Sequence, residues 1–181
     1  MDTMRLEEYK HIFDETAVYP ARVDKFDLCY LYLGLIDELH ELYDAIKVGH
    51  PIRVLDEAGD VFWYTNGIDI VTGIDKLADM ITYGAVSSGF PTYTLQGAIL
   101  EDINKCILSI TKRAGKLKKY YRDGRPDIFG EVNPIMEEVI GALERALSLY
   151  NFSVEEVLRY NHSKLLERKN QNTLHDIDRH E

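Results

Sequence analysis

Apolar residues recur every three or four positions along most of this chain, and the stripes they draw predict helices. The clearest stripe is Leu28, Leu31, Leu35, Leu39, Leu42 and Ile46, with Asp37, His40 and Asp44 on the opposite pole. It predicts a helix stopping near Lys47. Gly49 then supplies a residue at ease in the left-handed conformation that closes helices, and Pro51 one suited to the start of the next. A second helix is expected from near Ile52, with Glu57, Asp60 and Tyr64 on a face that continues into Val61, Ile68 and Val71, and Gly73 closes it.

The rest of the chain follows the same logic. Residues 4–15 form a short helix candidate through Leu6, Tyr9 and Phe13, and Pro20 ends that region. Asp75 is placed to cap a further short helix, and residues 84–94, rich in Gly, Ser and Pro, read as loop. Helical spacing resumes over 96–121 through Ile99, Ile103, Ile107, Ile110 and Leu117. A second loop, RDGRPDIFGEVNP, leads to a helix over 135–149. Ser153 and Glu156 form a capping box for the last helix, and the polar tail 171–181 is expected to fray. Nothing demands a strand, so the expected fold class is all-α.

Composition narrows the options. A chain of 181 residues, 45% apolar and 29% charged, can make one domain with a real core. A net charge of −10 argues against general binding to nucleic acid or a membrane surface. No apolar run approaches the roughly 18 residues of a membrane span, and the first residues lack the apolar segment of a signal peptide. Cys29 and Cys106 lie far apart, each within a helical pattern, as expected of reduced thiols. A soluble, cytoplasmic protein is the expectation.

Two acidic pairs carry the candidate chemistry: Glu38 with Glu41, and Glu57 with Asp60. Residues three apart share a helix face, so each pair can present two carboxylates to one point. Glu41 lies as far before the reversal at Gly49 as Glu57 lies after it, roughly 8–9 Å at about 1.5 Å per residue, and Glu38 and Asp60 match one turn further down. An antiparallel hairpin should therefore gather the four. Carboxylates among apolar neighbours repel one another and lose hydration unless cations sit between them. Oxygen donors without Cys or His suit a hard ion, Mg²⁺ or in its place Mn²⁺.

These residues resemble a known family. E-x-x-E, fifteen intervening residues and E-x-x-D is similar to the signature of the MazG-like all-α nucleoside triphosphate pyrophosphohydrolases. "TAVYP" followed by "LGLIDELHEL" resembles that family's first metal helix, "DEAGDVFWY" its second, and "FSVEEVLRYNHSKLLERK" its closing helix with N-x-x-K phosphate contacts. The resemblance covers roughly residues 5–75 and 148–170. Asp37 departs from the family, many of whose members have Gly before the first glutamate.

The resemblance implies an antiparallel helical bundle, a core of residues 5–83 and 148–170, and Mg²⁺-dependent hydrolysis of an NTP or dNTP to the monophosphate and pyrophosphate. It implies metal binding by Glu38, Glu41, Glu57 and Asp60, with Glu38 and Glu41 in the catalytic role and Glu41 placed to take a proton from water. Asn161, Lys164 and Arg168 would meet phosphate oxygens, and Tyr64 the substrate. Lys47 could reach a phosphate or serve only as the cation favoured at a helix C-terminus. A homo-oligomer, dimer or tetramer, is expected. The same fold could act on dUTP or ppGpp, or bind nucleotide as a sensor or assembly protein without turnover.

Residues 84–147 have no counterpart in a minimal family member. They are either a helical insertion or a degenerate second copy of the first half, in which Arg113 and Lys116 stand for Glu38 and Glu41, Glu138 for Glu57 and Gly141 for Asp60. The second alternative resembles the fused repeats of dimeric dUTPases. A basic run from Lys112 to Arg125 crosses this segment, either as a solvated face or as a cationic lid or partner patch.

Overall fold

A computed structural model describes residues 6–17, 27–73, 92–123, 129–171 and 173. Among them the chain is all-α, with six helices and no strand. In order they are α1 (Leu6–Thr16), α2 (Asp27–Val48), α3 (Pro51–Thr72), α4 (Thr92–Asp123), α5 (Phe129–Tyr150) and α6 (Val154–Asn170).

The hairpin α2–α3 is the centre. Gly49 turns the chain with φ +69°, a backbone that side chains with a Cβ rarely adopt. His50 then caps α3, its Nδ1 accepting from the Arg53 N–H at 3.2 Å, and Gly73 ends α3 at φ 68°. Every residue of the α2 stripe from Leu28 to Ile46 is buried, while Asp37, His40 and Asp44 are exposed. On α3, Val61 and Ile68 are buried, but Val71, expected on the inner face, is 37% exposed.

The hairpin α4–α5 packs against the first. Gln96 Nε2 donates to the Ile46 carbonyl at 2.6 Å, and the Cys29 N–H donates to the Tyr121 hydroxyl at 3.2 Å, so α4 runs antiparallel to α2. Arg145 of α5 reaches Asp102 of α4 at 2.9 Å. The stripe Ile99, Ile103, Ile107, Ile110 and Leu117 lies in the same core as the α2 stripe, with Val139, Leu143, Ala146 and Leu147 of α5. Burial of this apolar surface, at about 25 cal/mol per Å², is the main force joining the two hairpins.

Two boundaries differ from expectation. α4 begins at Thr92, within the segment 84–94 expected to be loop, although Thr and Tyr are weak helix formers. α5 begins at Phe129 rather than near residue 135, so Pro134 is its sixth residue, beyond the four N–H groups that lack an intrahelical partner, and the helix forgoes one i→i−4 bond there. The cap expected at Asp75, the loop residues 84–91 and most of the tail lie outside the described residues. Ser153 caps α6 with both bonds of a capping box to Glu156. Both cysteines are free thiols. No described helix is long and apolar enough to cross a membrane.

Candidate metal centre

Glu38 and Glu41 stand one turn apart on α2, and Glu57 faces them from α3. One oxygen of each lies within 4.8 Å of the others. The close approach of α2 and α3 is what brings them together, and small residues permit it. A Cβ on Gly34 would meet the Tyr64 ring at 2.1 Å, so only glycine lets that ring lie across α2 one turn from Glu38. Glu57 is buried at 1% exposure, and Glu38 and Glu41 are half-buried.

Asp60, expected as the fourth member of the group, acts on Glu38 through its charge and has both oxygens held from α6. Its Oδ1 accepts from Asn161 Nδ2 at 2.8 Å and its Oδ2 from Lys164 Nζ at 2.5 Å, both from α6. Lys164 also donates to Asp56 Oδ1 at 2.5 Å. Asn161 is fully buried, and its carbonyl end accepts from the Tyr9 hydroxyl at 3.0 Å. Both ends of this amide are thus used inside the protein, and its role here is to aim Asp60. Gly59 makes room for it, since a Cβ there would lie 2.7 Å from that of Asn161.

The electrostatics follow from this packing. Burial, then Asp60, Glu41 and Glu57, push the Glu38 carboxyl up to about 9. Burial, then Glu41 and Asp56, push Glu57 to about 8. Burial raises Asp60 as well, against the pull of Lys164. Lys164 itself is penalised by burial, but Asp60 and Asp56 more than offset this and hold its ammonium charged, its pKa raised. Burial likewise raises the Tyr64 phenol, helped by Tyr30 and Glu38. The packing between α2 and α3 therefore opposes full ionisation of these acids unless a cation enters.

One atom tests whether a cation belongs there. Glu57 Oε1 meets Arg53 Nη2 at 3.5 Å, but Oε2 is buried with no hydrogen-bond partner. Ionised, a buried carboxylate oxygen left this way costs about 1–3 kcal/mol or more, which is part of why the group keeps its proton without an ion. A hard divalent ion among Glu38, Glu41 and Glu57 would satisfy it, and the all-oxygen donor set is the right chemistry for Mg²⁺ or Mn²⁺.

The other expected site residues are distributed unevenly. Tyr64 lies beside the acids, its ring 6.2 Å from Tyr30 and 4.9 Å from Trp63. Trp63 belongs to the core, with Nε1 donating to Thr16 Oγ1 at 2.9 Å. Arg168 is half-buried one turn beyond Lys164 and lowers the Asp60 carboxyl through its charge. Lys47 is exposed in the last turn of α2 with Nζ 5.9 Å above the Tyr43 ring, the setting of a helix-terminal cation.

Four participants are absent from the sequence-based site: Asp56, Arg53, Tyr9 and Gly59. Asp56 and Arg53 had a visible signal, being four residues before Asp60 and Glu57 on the same helix face. Tyr9 had none, since its partners lie 50 and 152 residues away. Comparison with protein-family models, curated proteins and solved structures returned no match to this chain.

Proposed function

We propose that the protein is a MazG-like, Mg²⁺-dependent nucleoside triphosphate pyrophosphohydrolase, cleaving an NTP or dNTP between its α- and β-phosphates. The observation that carries this is the convergence of Glu38, Glu41 and Glu57 from two antiparallel helices, with Glu57 Oε2 buried and unsatisfied. The sequence resemblance supplies the reaction class.

In this reading Glu38, Glu41 and Glu57 hold the ion, with Asp60 beside them. Bound there, Mg²⁺ would offset phosphate charge and acidify water. The protein's own groups do the rest. Glu41 takes the proton of the attacking water. Asn161 and Tyr9 fix Asp60 so that its carboxylate does not swing during turnover. Lys164, Arg168 and Arg53 bring positive charge to the rim, where the leaving pyrophosphate collects negative charge. Tyr64 and Tyr30 form an apolar wall that keeps bulk water from the acids.

The test is incubation of the protein with a panel of NTPs, dNTPs, dUTP and ppGpp in Mg²⁺, with products resolved by ion-exchange chromatography. Monophosphate and pyrophosphate are the expected products, and Glu38→Gln should abolish them. Release of orthophosphate alone, or no product from folded protein, rejects the assignment.

A further inference from the structure

Lys164 has two anionic partners where one would serve. Its Nζ lies 2.5 Å from Asp56 Oδ1 and 2.5 Å from Asp60 Oδ2, and its side chain is only 13% exposed. Asp56 and Asp60 are four apart on α3, so both face α6 and share the ammonium between them. Asp60 bears most on Glu38, whereas Asp56, one turn toward the N-terminus of α3, bears on Glu57.

A divalent cation arriving among the glutamates changes this balance. It attracts the Asp60 carboxylate and repels the ammonium across a poorly screened site. With Asp60 as sole partner, Lys164 would become a largely buried unpaired charge, a state that opposes ion entry. A second carboxylate removes that obstacle.

We propose that Asp56 is a positioning residue for this site, acting through Lys164: it retains the ammonium when a divalent cation engages Asp60 and holds it ready for an anionic phosphate oxygen. The inference rests on the metal-centre reading above. It differs from a simpler role in which Asp56 adds one more negative charge to attract the ion. That role would not depend on Lys164.

A double-mutant cycle separates the two. Mn²⁺ binding to the full chain is measured by isothermal titration calorimetry for the unsubstituted protein, Asp56→Asn, Lys164→Met and the double variant, with folding checked by circular dichroism. Asp56→Asn should weaken Mn²⁺ binding roughly tenfold, the scale of one charged hydrogen bond, and should have less than about a twofold effect once Lys164 is Met. Asp56→Glu, which keeps the charge on a longer arm, should restore most of the affinity and gives an independent comparison if Asp56→Asn folds poorly. Equal losses in both backgrounds, or none in either, overturn the proposal while leaving the metal centre standing. Failure of the unsubstituted protein to take up Mn²⁺ overturns the metal centre and this inference with it.

Discussion

Glu57→Gln offers the sharpest test of the electrostatics, because it should stabilise the ion-free protein while destroying the site. Glu57 is 1% exposed and its carboxyl is pushed to about 8, against 4.5 for the free side chain. Below pH 4.5 both folded and unfolded chains carry the proton, and the group is neutral to stability. Between pH 4.5 and 8 the unfolded chain ionises while the folded one keeps its proton, so stability falls as pH rises, by up to about 1.4 kcal/mol per pH unit. At pH 7 the accumulated loss is about 3 kcal/mol at most. Gln has nearly the same shape and nothing to ionise, although its ion pair with Arg53 is gone. A gain of about 1–3 kcal/mol is expected at pH 7 in EDTA, or roughly 3–10 °C in Tm for a chain of this size. The gain should shrink toward zero at pH 4.5. Thermal unfolding followed by circular dichroism from pH 4.5 to 8, with EDTA and with Mg²⁺, measures all of this. Mg²⁺ should raise the Tm of the parent protein and leave Glu57→Gln nearly unchanged. A variant less stable than its parent at pH 7 in EDTA, or one with the same pH slope, would refute the argument.

Because Glu38 and Glu57 hold protons to about 9 and 8, Mg²⁺ binding should release one to two protons at pH 7, and its apparent affinity should rise about tenfold per pH unit per displaced proton between pH 6 and 8; calorimetry in buffers of different ionisation heat would detect this, and pH-independent affinity would contradict it. Gly59→Ala puts a Cβ 2.7 Å from that of Asn161 and should cost about 1–3 kcal/mol in urea denaturation, with activity falling as Asp60 loses its alignment. Among the described residues Asn66 is fully buried with neither end of its amide hydrogen-bonded, so Asn66→Leu should stabilise by about 1 kcal/mol or more, and a destabilised variant would reveal a partner for that amide. Ser153→Ala removes both hydroxyl bonds of the α6 capping box and should cost about 1 kcal/mol in Tm-derived stability, with Lys164 less well held.

The all-α class, the α2–α3 hairpin and the meeting of Glu38, Glu41 and Glu57 were legible in the amino-acid order alone. They depend on short-range regularities: a 3.6-residue period, a glycine that can take positive φ, and equal spacing of acids on either side of one turn. Helix starts at Thr92 and Phe129 were not legible, because a first turn needs no repeating apolar stripe to mark it. The partner of Asp60 was decided only by tertiary structure. Spacing says which residues share a face, but not what a third helix, 100 residues later, brings against it. α6 brings Asn161 and Lys164, which take both oxygens of Asp60, and Lys164 draws Asp56 into the site. The same holds for the raised carboxyls, since their first cause is loss of water, and that follows from burial in the folded chain rather than from spacing.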